Sequence, residues 1–297
     1  MKVNIANTAG FCFGVKRAVN LVYEEAEKHA GSVYTMGPII HNETVVDDLR
    51  KHGVRVIGDD LICEDTGKVP PEGSVVIVRS HGISREIYER VEAGGYQIVN
   101  ATCPFVKKIH DIVAEKSREG CTILIIGNPE HPEVKGIRGW AEGECYAAET
   151  EADIRRIPFS AEKTVCVVAQ TTFNFDKFQE LVEIVSSMGY HVIVKNTICN
   201  ATKERQTEAM DLARASDVML VLGSRASSNT QKLYEICRSQ CVNTYYIQKL
   251  DDLENEVTNF PSDSCVGITA GASTPNNIIQ EVSQHVRGFC TDARGEL

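Results

Sequence analysis

The 297-residue sequence has no CxxC pair and no excess of basic residues, and no apolar run approaches the ~18 residues a membrane-spanning helix needs. Without CxxC, zinc ribbons and thioredoxin-type redox motifs are unsupported. The opening MKVNIANTAG lacks the apolar segment of a signal peptide. A cytoplasmic protein with no membrane partner is expected, in a compartment where disulfides are rare. Lys and Arg total 31 against 41 Asp and Glu, a net charge of −10. That balance disfavours nucleic acid as the main partner, because phosphate contacts need clustered cations. No low-complexity linker or charge run breaks the chain. An apolar content of 42% and a charged content of 24% fit a globular protein of two or three domains.

Cysteine, by contrast, is plentiful, with eleven in all. Most read as structural. Cys166 and Cys265 sit in the strand-like runs TVCVVA and SCVGIT, and Cys121 precedes TILIIG. Cys145 lies in a turn-rich stretch, and Cys237 and Cys241 share a helix face. Three stand apart: Cys12, Cys103 and Cys199 are 91 and 96 residues apart. Each ends an apolar run and opens a helix-like one, in FCFGVKRAV, TCPFVKKIH and ICNATKERQ. Glycines follow at offsets of 25, 24 and 24, at Gly37, Gly127 and Gly223. His41, His131 and Ser227 stand four residues later. A further apolar run in each segment ends at His81, Thr171 and Ser273. A period near ninety residues implies three similar units, and one cysteine per unit in register implies a shared centre near a threefold axis.

The pattern predicts strands alternating with helices, hence an α/β fold of mostly parallel sheets. Helices are expected over 15–30, 105–119, 175–188, 201–214, 229–240 and 276–287, with Asn42 and Ser84 as N-caps. Strands are expected at YTMGPII, SVVIVRS, YQIVN, TILIIG, TVCVVA, HVIVKN, VMLVLG and CVGITA, with 128–133 as a loop. Three domains follow: 14–102, 103–198, and 199–297 joined by 1–13. The N-terminal KVNIAN supplies the strand that the third repeat lacks. In such sheets functional loops gather at the carboxyl ends of strands, where all these positions fall.

Three converging thiolates can hold a metal. Zinc wants a fourth ligand or a water. A [4Fe–4S] cluster with three cysteines keeps one iron open as a Lewis acid. Spacing leaves both open and favours the cluster; a helix N-terminus favours the thiolate form of each cysteine. His41, His81, His131, Ser227, Ser228, Asn229 and Ser273 form a set of neutral donors in loops that lead into helices, which suits a diphosphate. In NPEHPEV, Glu133 lies two residues past His131. A carboxyl group beside a buried anion would have a raised pKa and could deliver a proton. Glu130 reads as a solvated loop residue. Thr171 could relay a proton through its hydroxyl.

At GFCFGVKRA, GPIIHN, RSHG, NATCPFV, GNPEHPEV, QTT, NTICNAT, GSRASSN and GAST, the chain resembles the 4-hydroxy-3-methylbut-2-enyl diphosphate reductase family nearly end to end. The resemblance implies a pseudo-threefold trefoil of three α/β domains around a central [4Fe–4S] cluster with one iron not bound by cysteine. It implies Cys12, Cys103 and Cys199 as cluster ligands. His41, His81, His131, Thr171, Ser227, Ser228, Asn229 and Ser273 would bind substrate, with Glu133, His131 and Thr171 catalytic. The implied reaction is reductive dehydration of an allylic diphosphate to isopentenyl and dimethylallyl diphosphates. Its electrons would come from an external one-electron donor of flavodoxin or ferredoxin type. Some members carry C-terminal domains of RNA-binding type, and none is expected here. Two rivals remain. A three-cysteine cluster enzyme of quinolinate synthase type would want basic loops, where this chain has serines and histidines. A cluster- or zinc-holding sensor would not need the His, Ser and Glu set.

Overall fold

The computed structural model describes residues 1–257 and 263–292. The first stretch of the chain runs β1 (Lys2–Ile5), α1 (Phe13–Lys28), β2 (Val33–Met36), α2 (Glu43–Lys51), β3 (Arg55–Ile57), β4 (Val75–Val78), α3 (Arg85–Ala93) and β5 (Gln97–Asn100). The middle runs α4 (Pro104–Arg118), β6 (Thr122–Ile126), α5 (Pro132–Arg138), β7 (Cys145–Ala148), α6 (Glu151–Arg155), β8 (Val165–Ala169), α7 (Phe175–Ser187) and β9 (Val192–Val194). The last part holds α8 (Asn200–Arg214), β10 (Val218–Leu222), α9 (Ser228–Gln240), β11 (Thr244–Ile247), α10 (Leu250–Glu256), β12 (Cys265–Ala270) and α11 (Asn276–Asp292).

The strands form three four-stranded sheets in the orders β3-β2-β4-β5, β7-β6-β8-β9 and β11-β10-β12-β1. Every strand pair in them is parallel. The fold is α/β, as expected. The three orders are one topology used three times, and in the third sheet β1 takes the place held by β5 and β9. Its register sets Lys2 against Cys265 and Ile5 against Ile268.

Parallel strands between helical layers are apolar on both faces, which explains the fully buried VVIV, TILII, VCVVA and VMLVL runs. Alternation divides them between two cores. In the second sheet Leu124, Ile126, Val165 and Val167 pack with Phe178, Leu181 and Val185 of α7. On the other face, Ile123, Ile125, Cys166 and Val168 pack with Ile109 and Val113 of α4 and Val134 and Ile137 of α5. Burial pushes the Cys166 thiol up to about 11 and those of Cys145 and Cys237 to about 12, so these cysteines are inert packing groups. The expected caps are present. Ser84 accepts from the Ile87 N–H at the start of α3, and Asn42 Oδ1 from the Val45 N–H in α2.

Several elements differ from the sequence reading. Pro132 opens α5 inside the segment expected to be a loop, since proline suits the first helical position. Cys145 starts strand β7 instead of lying in a turn. The edge strands β3, β7 and β11 are additional, three or four residues long and each beside only one neighbour. The chain forms two compact units. One comprises Met1–Phe13, His41–Val45 and the chain from Asn200 on; the other comprises Gly14–Ile40 and Val46–Cys199. The first unit holds the third sheet, and the second unit holds the other two. Among the described residues no helix is long and apolar enough to cross a membrane.

Candidate active site

In the unit that holds two sheets, the functional side chains leave the carboxyl ends of β4, β5, β6, β8 and β9. Ser80 joins the first two: its carbonyl accepts from the Cys103 N–H at 2.9 Å, and its hydroxyl donates to the Ile39 carbonyl at 2.9 Å. Cys103 is the N-cap of α4, and no hydrogen bond from its own helix occupies the sulfur as a cap. A methyl group on Gly14 would lie 2.6 Å from Cys103 Sγ, so the start of α1 can approach this thiol only as glycine. On the second sheet the Cys199 N–H donates to the Thr171 carbonyl at 3.1 Å. Cys103 and Cys199 are both half-buried, and neither is in a disulfide.

Thr171 also binds the carboxyl group of Glu133. Its N–H donates to Glu133 Oε1 at 2.6 Å and its hydroxyl donates to Oε2 at 2.8 Å. Glu133 is 2% exposed. Burial raises its pKa to about 7, against the smaller opposing effect of the two Thr171 hydrogen bonds. His131 caps α5: its Nδ1 accepts from the Glu133 N–H at 3.1 Å, which leaves Nε2 to carry the ring proton of the neutral form. The His131 ring meets His81 edge-on, with centroids 5.5 Å apart. His81, His131, Glu133 and Thr171 are therefore held together by contacts in this unit. Gln170, buried beside Thr171, accepts from the Asn128 N–H at 3.1 Å and fixes the loop before His131.

The other unit carries Cys12, His41, Ser227, Ser228, Asn229 and Ser273. Ser227 caps α9 by accepting from the Thr230 N–H, Ser228 begins that helix, and Asn229 is its second residue. Ser227 and Asn229 are each 5% exposed, and Ser273 is 6% exposed. The Asn229 Nδ2 is buried with no hydrogen-bond partner among the described residues, a donor left over for a ligand. Ser273 donates through Oγ to the His41 carbonyl at 3.2 Å, and Asn42 Nδ2 donates to the Ser273 carbonyl at 2.9 Å. Gly223, at φ +142°, lets Thr230 and Thr274 close over the end of β10; a side chain there would meet Thr274 Oγ1 at 2.6 Å.

Cys12 is half-buried, and its N–H donates to the Ala272 carbonyl at 3.3 Å. Two residues of α8, one turn apart, clasp the segment leading to it. Arg205, 4% exposed, donates from Nη2 to the Gly10 carbonyl at 2.9 Å and from Nη1 to the Ala270 carbonyl at 2.6 Å. Glu208 accepts from the N–H groups of Asn7 and Thr8 at 2.7 and 2.8 Å, and from both side chains.

Sequence reasoning missed Ser80, Gln170, Arg205 and Gly14. Each lies inside or just beyond a motif already singled out, and that adjacency was the signal available. The donor set suits the groups the sequence suggested: half-buried thiols at helix starts for a metal cluster, and buried neutral donors for an anion.

Comparisons with known proteins identify the family. A family model described as LytB protein matches residues 3–287. A 4-hydroxy-3-methylbut-2-enyl diphosphate reductase from Caldanaerobacter subterraneus subsp. tengcongensis is 43% identical over 290 residues, covering 97% of this chain and 98% of that protein. A solved (E)-4-hydroxy-3-methyl-but-2-enyl diphosphate reductase, described as the terminal enzyme of the non-mevalonate pathway, is 38% identical. It has a TM-score of 0.68 over 97% of this chain and 100% of its own. The Plasmodium falciparum E-1-hydroxy-2-methyl-but-2-enyl-4-diphosphate reductase structure is 29% identical with a TM-score of 0.88, over 97% and 89% of the two chains. With a family model spanning nearly the whole chain and a relative above 40% identity over the same length, this chain belongs to the LytB family.

Proposed function

We propose that the chain catalyses the reductive dehydration of 4-hydroxy-3-methylbut-2-enyl diphosphate to isopentenyl and dimethylallyl diphosphates, the final step of the methylerythritol phosphate route to isoprenoids. One substrate, two electrons and two protons give one five-carbon diphosphate and one water. The observation that carries this reading is Glu133, a buried carboxyl group held by Thr171 with its pKa raised to about 7. A group of that kind keeps a proton near neutral pH and can release it to a departing oxygen.

In this reading Cys12, Cys103 and Cys199 hold a [4Fe–4S] cluster with one iron not bound by cysteine. Bound there, the cluster supplies electrons and a Lewis-acid position for the C4 oxygen of the substrate. The protein does the rest. Ser227, Ser228, Asn229 and Ser273 offer hydroxyl and amide donors to the diphosphate, joined by His41, His81 and His131. Glu133 protonates the C4 oxygen as the C–O bond breaks, and the Thr171 hydroxyl, 2.8 Å from Oε2, orients that carboxyl group. Buried donors fixed by caps and backbone bonds need little reorganisation when the anion arrives. The matching domain reading is 14–102, 103–198, and 199–297 with 1–13, in a trefoil around the cluster. The enzyme is cytoplasmic and takes electrons from a flavodoxin- or ferredoxin-type carrier.

The test is an anaerobic assay of cluster-loaded protein with a reduced dye and the hydroxymethylbutenyl diphosphate, with products read by mass spectrometry. Both five-carbon diphosphates should form, and kcat should fall as pH rises through about 7, where Glu133 loses its proton. A loaded protein that makes neither product would overturn the assignment.

A further inference from the structure

Many lysines of this acidic chain are tied to carboxylates: Lys28 to Glu25, Lys116 to Glu119, Lys135 to Glu130, Lys163 to Glu144 and Lys232 to Glu235. Several are not, Lys2, Lys51 and Lys68 among them, and Lys16, Lys107 and Lys108 are those at the two helix starts beside Cys103. All three are exposed, and their side chains have no ion pair or hydrogen bond among the described residues. They stand in the opening turns of α1 and α4, neither of which has an acidic residue in its first turn. The helix dipole disfavours cations at that end. Three unpaired ammonium groups are thus kept where local electrostatics oppose them, in a chain of net charge −10.

The two helix starts meet at Cys103. Gly14 lies against its sulfur, and Arg17 of α1 donates to the carbonyls of Thr102 at 3.3 Å and Asn100 at 3.2 Å. At 1.5 Å of rise per residue, Lys16 is about 3 Å along α1 from Gly14, and Lys107 and Lys108 are about 6–8 Å along α4 from Cys103. Phe105, 45% exposed, lies on the same opening turn of α4. Phe105 and Lys108, three residues apart, are neighbours on the surface of α4, and an exposed phenyl ring beside an unpaired cation suits a transient protein interface. The sequence register repeats the theme: lysine stands four residues after each of Cys12, Cys103 and Cys199, at Lys16, Lys107 and Lys203.

We propose that the patch around Cys103, which carries exposed Phe105 with Lys16, Lys107 and Lys108, is the docking surface for a small acidic one-electron carrier protein of ferredoxin type. The proposal rests on the reductase reading, which needs two electrons delivered singly on the side of the cluster-binding cysteines. Each carrier gives up one electron and leaves oxidised, so two carriers serve one turnover. Opposite charge steers the encounter and orients the carrier, and its main effect is on the association rate. The short stay of each carrier suits a small patch of weak contacts.

The test is the triple variant K16E/K107E/K108E, assayed anaerobically with a reduced acidic ferredoxin and, separately, with reduced methyl viologen. With ferredoxin, kcat/KM should fall about tenfold or more at low ionic strength, and the gap from the parent should narrow as salt is raised. With the dye, turnover should stay within about twofold, because no docked protein is needed. Titration calorimetry should show ferredoxin binding weakened in parallel, and K16Q/K107Q/K108Q should show a smaller loss of the same kind. Equal losses with both electron sources, or no loss with ferredoxin, would overturn the proposal. So would a change of oligomeric state in the variant with carrier kinetics unchanged, which would assign the patch to self-association. If the parent protein makes no product even with the dye, the reductase reading fails. The calorimetric comparison then still decides the docking surface.

Discussion

Six residues past Gly37, Gly127 and Gly223 stand Glu43, Glu133 and Asn229, in register on the three repeats. Glu133 is buried, bound by Thr171, and pushed to about 7. Glu43 has the same side chain but is exposed, and its oxygens accept from Ser224 Oγ and Gln248 Nε2, each at 3.0 Å. Asn229 is buried and neutral, with its amide nitrogen unpartnered among the described residues. The repeated backbone delivers a side chain to the same place each time. Burial and the neighbouring donors decide whether it is a carboxyl group with a raised pKa, a loop tie or an unpartnered amide.

The strongest way to break this comparison is Glu133→Gln. Turnover should fall about 100-fold or more in single-turnover kinetics, the usual range for losing a general acid. The fold should gain. A carboxyl group that ionises near 4.5 unfolded and near 7 folded costs stability that grows as pH rises through that window, by roughly 3 kcal/mol above it. Thr171 can still donate its N–H to the amide oxygen and turn its hydroxyl to accept. The variant should therefore melt higher than the parent at pH 8 and about equally at pH 4; a Tm that does not depend on this substitution at pH 8 would mean Glu133 is solvated. Next in size, Asn229→Asp sets a negative charge where the proposed reading puts the diphosphate. Product diphosphate should bind about 100-fold more weakly by calorimetry, since like charges brought together cost several kcal/mol.

Two further substitutions sharpen the contrast by stability alone. Arg205→Gln leaves the Gly10 and Ala270 carbonyls without their charged donor and should cost about 2–3 kcal/mol in denaturant unfolding, with Arg205→Lys in between. His110 gives a pH slope opposite to that of Glu133. It is stacked on Trp140 at 5.2 Å, and burial lowers its pKa to about 4. Its neutral form is at no disadvantage above pH 6.5, and stability is lost as pH falls from 6.5 toward 4. His110→Phe should flatten that acid limb by up to about 3 kcal/mol. The smallest effect belongs to Glu43→Gln, within about 0.5 kcal/mol and about twofold in turnover, because the site is exposed, the amide oxygen can still accept from Gln248, and the Ser224 hydroxyl can turn to accept from the new amide nitrogen. A loss as large as that from Glu133→Gln would show that register, and not burial, sets the chemistry.

Much of this was legible in the sequence because it is local. The long buried strands are continuous apolar runs, the helices carry 3.6-residue periodicity, and Ser84 and Asn42 are cap residues in cap positions. Strand β1 was assigned to the third sheet because the repeat lacked a member. The edge strands β3, β7 and β11 escaped notice because three or four residues beside one neighbour leave no period to read. The residues that hold the candidate site in place escaped for a different reason. Arg205 acts on Gly10 from 195 residues away, and Gly14 matters only because Cys103 lies against it. Nothing in a local window records such meetings. The raised pKa of Glu133 was inferred from its motif, but its burial and its hydrogen bonds to Thr171, 38 residues on, appear only once β6 and β8 are side by side.

The pairing of β1 with β12 also has a consequence in time. Lys2 must wait for Cys265 before it can join a sheet. At about 5–20 residues per second, a ribosome takes roughly 13–50 s to make the intervening chain. The other two sheets can form while synthesis continues, since their strands are close in sequence. The N-terminal strand is left as an unpaired edge throughout, exposed to any chaperone or protease. Cys12 follows that strand by only a few residues and so reaches its final position last. A chain truncated before β12 would lack the partner that anchors the strand leading to this cysteine, so the position of Cys12 is set only once translation has run to the final sheet.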